Sequence, residues 1–339
     1  MKKMSIHRIF LVFVMGLSTG LTPVAGSASD EIVVYTARKE HLVKPLFDAY
    51  TEKTGVNIKY ITDKAAPLLA RLQAEGKNSP ADMLITVDAG NLWQAAEKGV
   101  LAPVKSEILE QNIPTHLRDP EGRWFGLSVR ARTIVYATDR VKKNELSSYE
   151  NLADPVWKGR LCLRTSKKVY NQSLVAMMIA EKGEKETESV VKGWVNNLAA
   201  APFSNDTKVM EAIAAGQCDV GIVNTYYYGR LMKKEKDLKL ALFWPNQDSR
   251  GVHINISGAG VTTNANNREQ AIKLLEWLSG TEAQTILVSL NMEYPANPAI
   301  NADATVVAWG EFKQDQLNVA KAGELQTSAV MLMDRAGYK

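Results

Sequence analysis

The order of hydrophobic runs predicts an α/β protein of two lobes. Three observations carry this expectation. Strand-like and helix-like segments alternate with short turns, and 339 residues exceed one common domain. In addition, two extended runs, 126–139 and 251–264, are longer than a usual strand of about 5 to 6 residues. Strands of that length can pass between lobes, and both are expected as hinges.

The segment before residue 30 stands apart. Lys2, Lys3 and Arg8 make a basic start, IFLVFVMGLSTGL is an apolar stretch, and TPVAGSAS offers small residues for cleavage. Residues 1–29 therefore read as a secretory signal peptide, cut after Ala28 or Ser29. No cysteine follows the apolar stretch to take a lipid, and no later run approaches the roughly 18 apolar residues of a membrane span. The mature chain is expected to be exported, without membrane insertion.

From there EIVVYTA reads as a strand, and EHLVKPLFDAYTEKTG as a helix with Leu42, Pro45, Leu46 and Tyr50 on one stripe and Gly55 as its stop. VNIKYIT is a second strand, APLLARLQAEG a helix, ADMLITV a buried strand and AGNLWQAAEKG another helix, with Asp88 and Asn91 as capping residues. After the first hinge run come strand RLCLRT, helices NQSLVAMMIAEKG, ETESVVKGWVNNLAA and DTKVMEAIAAG, and strand DVGIV. Beyond the second hinge run lie helices NREQAIKLLEWLSG and TEAQTILVSLN, the loop MEYPANPAI and two closing helices. The first lobe is expected over 30–131 and 257–307, and the second over 132–256 and 308–339, with a cleft between them.

Charge excludes some partners. Lys2, Lys3 and Arg8 account for three of the +4 formal charges, so the remainder is nearly balanced and gives no argument for nucleic acid or anionic membrane. Cys162 and Cys218 are the only cysteines. In an oxidising compartment they are expected to pair, the alternative being two buried thiols. Three histidines, His41, His116 and His253, lie beyond residue 29, too scattered for a zinc site. The nucleophile-elbow, P-loop and zincin motifs are absent, so covalent or zinc catalysis has no support.

The run NTYYYGRL is unusual because neighbouring residues on a helix point roughly 100° apart and cannot all face one core. Asn224 and Thr225 are good helix-capping types, which puts Tyr226, Tyr227 and Tyr228 in a first turn. There the helix dipole favours negative charge. It cannot by itself ionise a phenol of pKa about 10, whereas a hard trivalent cation on the oxygen can. Phenolate donors point to Fe(III). Alternation along VRARTIVY places Arg130, Arg132 and Tyr136 on one face, offering a third phenolate at Tyr136. Three phenolates balance Fe(III), and any further anion would be offset by Arg132 or Arg38.

Six collinear segments now support a family resemblance: VVYTARKEHLVKPL, PADMLITVDAGNLWQA, GLSVRARTIVY, LCLRTSKKVYNQSL, GQCDVGIVNTYYYGRL and HINISGAGV. The chain resembles the periplasmic ferric-ion-binding proteins of ABC-type iron uptake, in particular their iron-deficiency-induced, tyrosine-rich branch. The resemblance implies the class II periplasmic-binding-protein fold, two α/β lobes with mixed sheets joined by two hinge strands. It also implies a monomer in the periplasm that passes Fe(III) to an inner-membrane ABC permease and catalyses nothing. By resemblance Tyr226 and Tyr227 bind iron, Tyr136 is the third ligand, and Tyr228 packs. The first loop departs from the family, which often has His or Tyr where this chain has Lys39 and Glu40. Glu40 is a hard-oxygen substitute, His41 a weaker one; alternatively the loop gives no ligand, and a synergistic anion such as carbonate is held by Arg38, Arg132 or the amides near Asn224. Two other functions remain open: a receptor for an oxyanion or small organic solute, and an exported enzyme using Tyr and Arg as acid and base. Plainer roles are also open. Arg38 and Arg132 could be ion-paired structural residues, Glu40 a solvated carboxylate, and His253 a packed histidine.

Overall fold

The computed structural model describes residues 31–339, together with Met1; the signal-peptide reading lies outside the described residues. Strand β1 (Glu31–Thr36) leads into helix α1 (Glu40–Thr54), followed by β2 (Asn57–Thr62), α2 (Ala65–Glu75), β3 (Met83–Val87), α3 (Ala89–Glu97) and α4 (Glu107–Asn112). Helix α1 forms where Leu42, Leu46 and Tyr50 recur at helical spacing and become buried. It ends at Gly55, whose φ of 76° lets its N–H turn back to the Thr51 carbonyl. The long strand β4 (Phe125–Ala137) then leaves the first lobe.

Beyond it come β5 (Leu161–Cys162), α5 (Val169–Lys182), α6 (Glu184–Asn197), α7 (Asp206–Ala214), β6 (Val220–Asn224), α8 (Thr225–Lys234) and β7 (Leu240–Phe243). The chain returns through β8 (Ile254–Val261), α9 (Arg268–Ser279), α10 (Thr281–Asn291), β9 (Tyr294–Pro295) and α11 (Ala304–Val307), and closes with α12 (Lys321–Glu324) and α13 (Gln326–Arg335). Among the described residues no helix is long and apolar enough to cross a membrane.

The strand order β2-β1-β3-β8-β4-β6-β5 contains both parallel and antiparallel neighbours. Strand β4 changes partner along its length. Phe125 to Ala131 run beside β8, and Arg132 to Tyr136 run beside β6. The switch between Ala131 and Arg132 carries one continuous strand from one lobe to the other. Strand β8 differs, because it pairs with β3 and the first half of β4 only, and the chain reaches it through Gly251–His253.

Each lobe has its own core. The first packs Ile32, Phe47, Leu68, Met83, Leu92, Trp124 and Leu274, and the second packs Ile134, Tyr149, Trp157, Leu174, Trp194 and Leu332. On β4, Ile134 and Tyr136 enter the second core, while Val135 and Ala137 face a third cluster with Val209, Ile213 and Val223, as strand alternation requires. The expected disulfide joins Cys162 to Cys218 across 56 positions on that side and adds about 2–4 kcal/mol of stability.

The carboxy-terminal segment differs from its assignment to the second lobe alone. Val319 and Ala320 pack into the first core, and the Val319 N–H donates to His116, whereas Ala329, Leu332 and Met333 lie in the second core. The chain thus crosses the lobes again at α12, where Gly323 lies against Trp93 so closely that a Cβ would fall 2.4 Å from the tryptophan Cβ.

Candidate metal centre

Helices α5 and α8 both start at the interlobe pocket. Thr225 is the first residue of α8, so Tyr226 and Tyr227 lie in its first turn, with ring centroids 4.4 Å apart. Tyr170 is the second residue of α5, and its hydroxyl accepts a hydrogen bond from Tyr226. These three tyrosines line a cavity of about 200 Å³ with Ala37, Arg38, Lys39, Leu42, Val87, Arg130, Arg230, Ser257, Asn291 and Glu293. Helices α1, α5 and α8 all begin here without a hydrogen bond from their own capping side chains. Their free N–H groups and dipoles add positive potential to the pocket.

Sequence reasoning missed Tyr170 as a site residue. The signal lay in the segment LCLRTSKKVYNQSL, where a lone tyrosine falls in the first turn of a helix. Tyr136 does not reach the pocket, which corrects the expected third phenol. Its Cα stands opposite Val220 at the start of β6, whereas the tyrosine pair follows the end of that strand, and its ring packs with Ile134 in the second core. Tyr228 packs edge-on against Trp309 and donates to the Leu240 carbonyl, away from the cavity.

Glu40 also turns away from the pocket, accepting a 3.0 Å hydrogen bond from the Tyr60 hydroxyl at the surface, and His41 is exposed. Arg38 is a true wall residue. It is 7% exposed and donates to Glu293 at 3.0 Å and to Ser257. Arg132 lies behind the wall, donating to Asp206, Asn224 and Asn171, so it is an ion-paired structural residue rather than an anion holder. Asn224 does touch the site: its amide donates to the Tyr226 hydroxyl at 3.4 Å. His253 is buried on the approach to β8, and the positive neighbours Arg250, Arg132 and Arg130 add to burial in holding it down to about 3.

Three further arginines surround the phenols. The Arg164 guanidinium lies 5.2 Å from the Tyr170 ring centroid and 5.9 Å from that of Tyr227, Arg230 lies 5.2 Å from Tyr226, and Arg130 lies 5.9 Å from Tyr170. Burial pushes Tyr170 and Tyr226 above the ordinary phenol range, Tyr226 well above it, and charge on neighbouring phenols adds to this at both; Arg130 opposes it at both. Without a metal these two are neutral phenols at pH 7. Among the described residues no three His, Cys, Asp or Glu side chains converge as a metal site.

This combination of two lobes around a charged pocket is the architecture of a solute-binding protein. The chain belongs to the family of bacterial extracellular solute-binding proteins, whose pattern matches residues 78–313. It is 44% identical to iron uptake protein A1 of Synechocystis, over 94% of this chain and 90% of that protein. A Trichodesmium protein (IdiA, or FutA) solved with iron and citrate is 44% identical and superposes with a TM-score of 0.88, covering 91% of this chain and all of that one. Apo FutA2 of Synechocystis superposes equally well, at 43% identity over 92% of this chain and all of that one.

Proposed function

We propose that this protein captures Fe(III) between its lobes in the periplasm, as a monomer without enzymatic activity, and delivers it to an inner-membrane ABC permease. The observation that carries the reading is the convergence of Tyr170, Tyr226 and Tyr227 from two helix starts onto one cavity. Three phenolates would neutralise the ion, and hard oxygen donors suit it. The opposite wall offers Arg38, Lys39 and Arg130, with Arg230 beside the tyrosines on α8, and the lining has no carboxylate except the ion-paired Glu293. Such a wall suits a synergistic anion, carbonate or a carboxylate chelator such as citrate, completing the shell in place of a ligand from the first loop.

Because Tyr170 and Tyr226 are held protonated in the free protein, iron must displace their protons. Binding should release at least these two protons and weaken by up to about tenfold per proton for each unit of acidification. Ferric citrate added to the purified protein should give a visible phenolate-to-iron band at one iron per chain, with the protons measured in weakly buffered solution. A colourless protein that binds phosphate or another oxyanion in calorimetry would instead identify a receptor for oxyanions, the second use this cation-rich wall can support.

A further inference from the structure

Asp88 takes no part in the iron reading, yet it is held tightly beside the pocket. It is fully buried and holds φ at 75°, a region that residues other than glycine rarely adopt and that clusters at functional sites. Its carboxylate accepts from three pieces of chain: the Gly90 N–H at the start of α3, the Asn255 amide on β8, and the Ser173 hydroxyl on α5 at 2.7 Å. Gly90 and Asn255 belong to its own lobe. Ser173 belongs to the other, one turn beyond Tyr170 on the same helix.

The loop carrying Asp88 is firmly tied to β8. Its backbone N–H donates to Ile256, and the Asn255 side-chain oxygen accepts from Ala89. A neighbouring link runs from Gln94 on α3 through Gln326 to Gln172, the residue before Ser173. The first lobe therefore grips the very turn of α5 that follows Tyr170.

We propose that Asp88 is a positioning residue which latches α5 onto the first lobe through Ser173 and so keeps Tyr170 in the closed pocket. This rests on the iron reading of that pocket. The Asp88–Ser173 bond exists only while the lobes are together; when they part, both groups return to water. Its strength therefore bears on the closed population and on how long iron is held, and leaves the encounter with the open form untouched.

The test is iron release from the full chain, loaded with ferric citrate and mixed with excess EDTA, followed by loss of the visible band. Ser173→Ala removes the hydroxyl with almost no change of shape and leaves Asp88 its two other donors. It should release iron about tenfold faster, the factor expected for one buried hydrogen bond. Uptake should stay within about twofold, and the melting temperature of the iron-free protein should not change. Asp88→Gly relieves the positive φ and retains an acceptable helix cap, so it should fold and show the same fast release. Small-angle scattering of both iron-loaded variants should show a larger radius of gyration than the iron-loaded wild type. A coloured wild type whose Ser173→Ala variant releases iron at the same rate overturns the latch alone. A wild type that stays colourless overturns the iron reading and the latch with it.

Discussion

The two walls of the pocket are built from opposite chemistry. The second lobe presents Tyr170, Tyr226 and Tyr227 with Arg230 beside them on α8, and burial keeps Tyr170 and Tyr226 protonated until a cation takes their protons. The first lobe presents Arg38 and Lys39, whose charge is permanent, with Glu293 held against Arg38. The conditional charges thus lie on one wall only. The difference teaches that neither wall alone suits iron: the phenols need the ion to ionise, and the cations repel it unless an anion comes between.

The sharpest way to break this comparison is to remove the conditional charges. Tyr226→Phe, Tyr227→Phe and Tyr170→Phe each delete one oxygen and keep the ring, so the melting temperature of the iron-free protein should barely change. Iron affinity in a competition assay should fall by more than about a hundredfold, since even outer partners of metal ligands cost 10–100-fold. A Tyr170→Phe variant with wild-type affinity would remove α5 from the site.

The contrast between the walls also explains what could be read in the sequence. The tyrosine pair was legible because its position at a helix start is set by adjacent residues, Asn224 and Thr225. Strand alternation gave the face of β4 that Tyr136 occupies, which Ile134 shares in the second core. It could not say that β6 runs antiparallel beside them, which sets Tyr136 opposite Val220, four positions along β4 from the register of Asn224. Tyr170 was hidden for the same reason, because its approach to Tyr226 is created by packing of α5 against a segment more than fifty residues away. The first loop was legible as a departure from the family, but the sequence left open where Glu40 points. The Tyr60 hydroxyl on β2 decides that.

The fixed wall can be tested through its ion pair. Arg38→Met keeps most of the bulk and leaves Glu293 buried without its main partner. In the native protein burial pushes the Glu293 carboxyl up, but Arg38 and Arg130 outweigh it and hold the group below its ordinary range. That stabilisation is present above the unfolded-state pKa of about 4.3 and is lost as pH falls through the lowered folded value. In Arg38→Met the balance reverses and burial raises the folded pKa. The variant should lose roughly 3 kcal/mol at pH 7, and the loss should shrink as the pH drops toward 5 and Glu293 takes a proton. Chemical denaturation at both pH values measures this; a loss independent of pH would mean that Arg38 acts by packing alone. Iron retention in carbonate or citrate should weaken as well, because one of the anion's holders is gone.

The smallest effect is expected at Glu40, and it tests whether the fixed wall contributes any ligand. The carboxylate sits in the exposed first turn of α1, bound to Tyr60 and turned from the cavity. Glu40→Ala should therefore change iron affinity by less than about twofold and cost no more than about 0.5 kcal/mol, the usual range for a surface substitution. Its visible band should keep the wild-type position, since the band reports the phenolates and whatever completes their shell. If affinity fell as far as in the phenylalanine variants, α1 would have to swing its carboxylate inward on binding. The anion would then be displaced by a protein ligand, and iron binding by Glu40→Ala should become strongly dependent on added citrate. An affinity equally dependent on citrate in wild type and variant is the outcome that keeps the two walls chemically distinct.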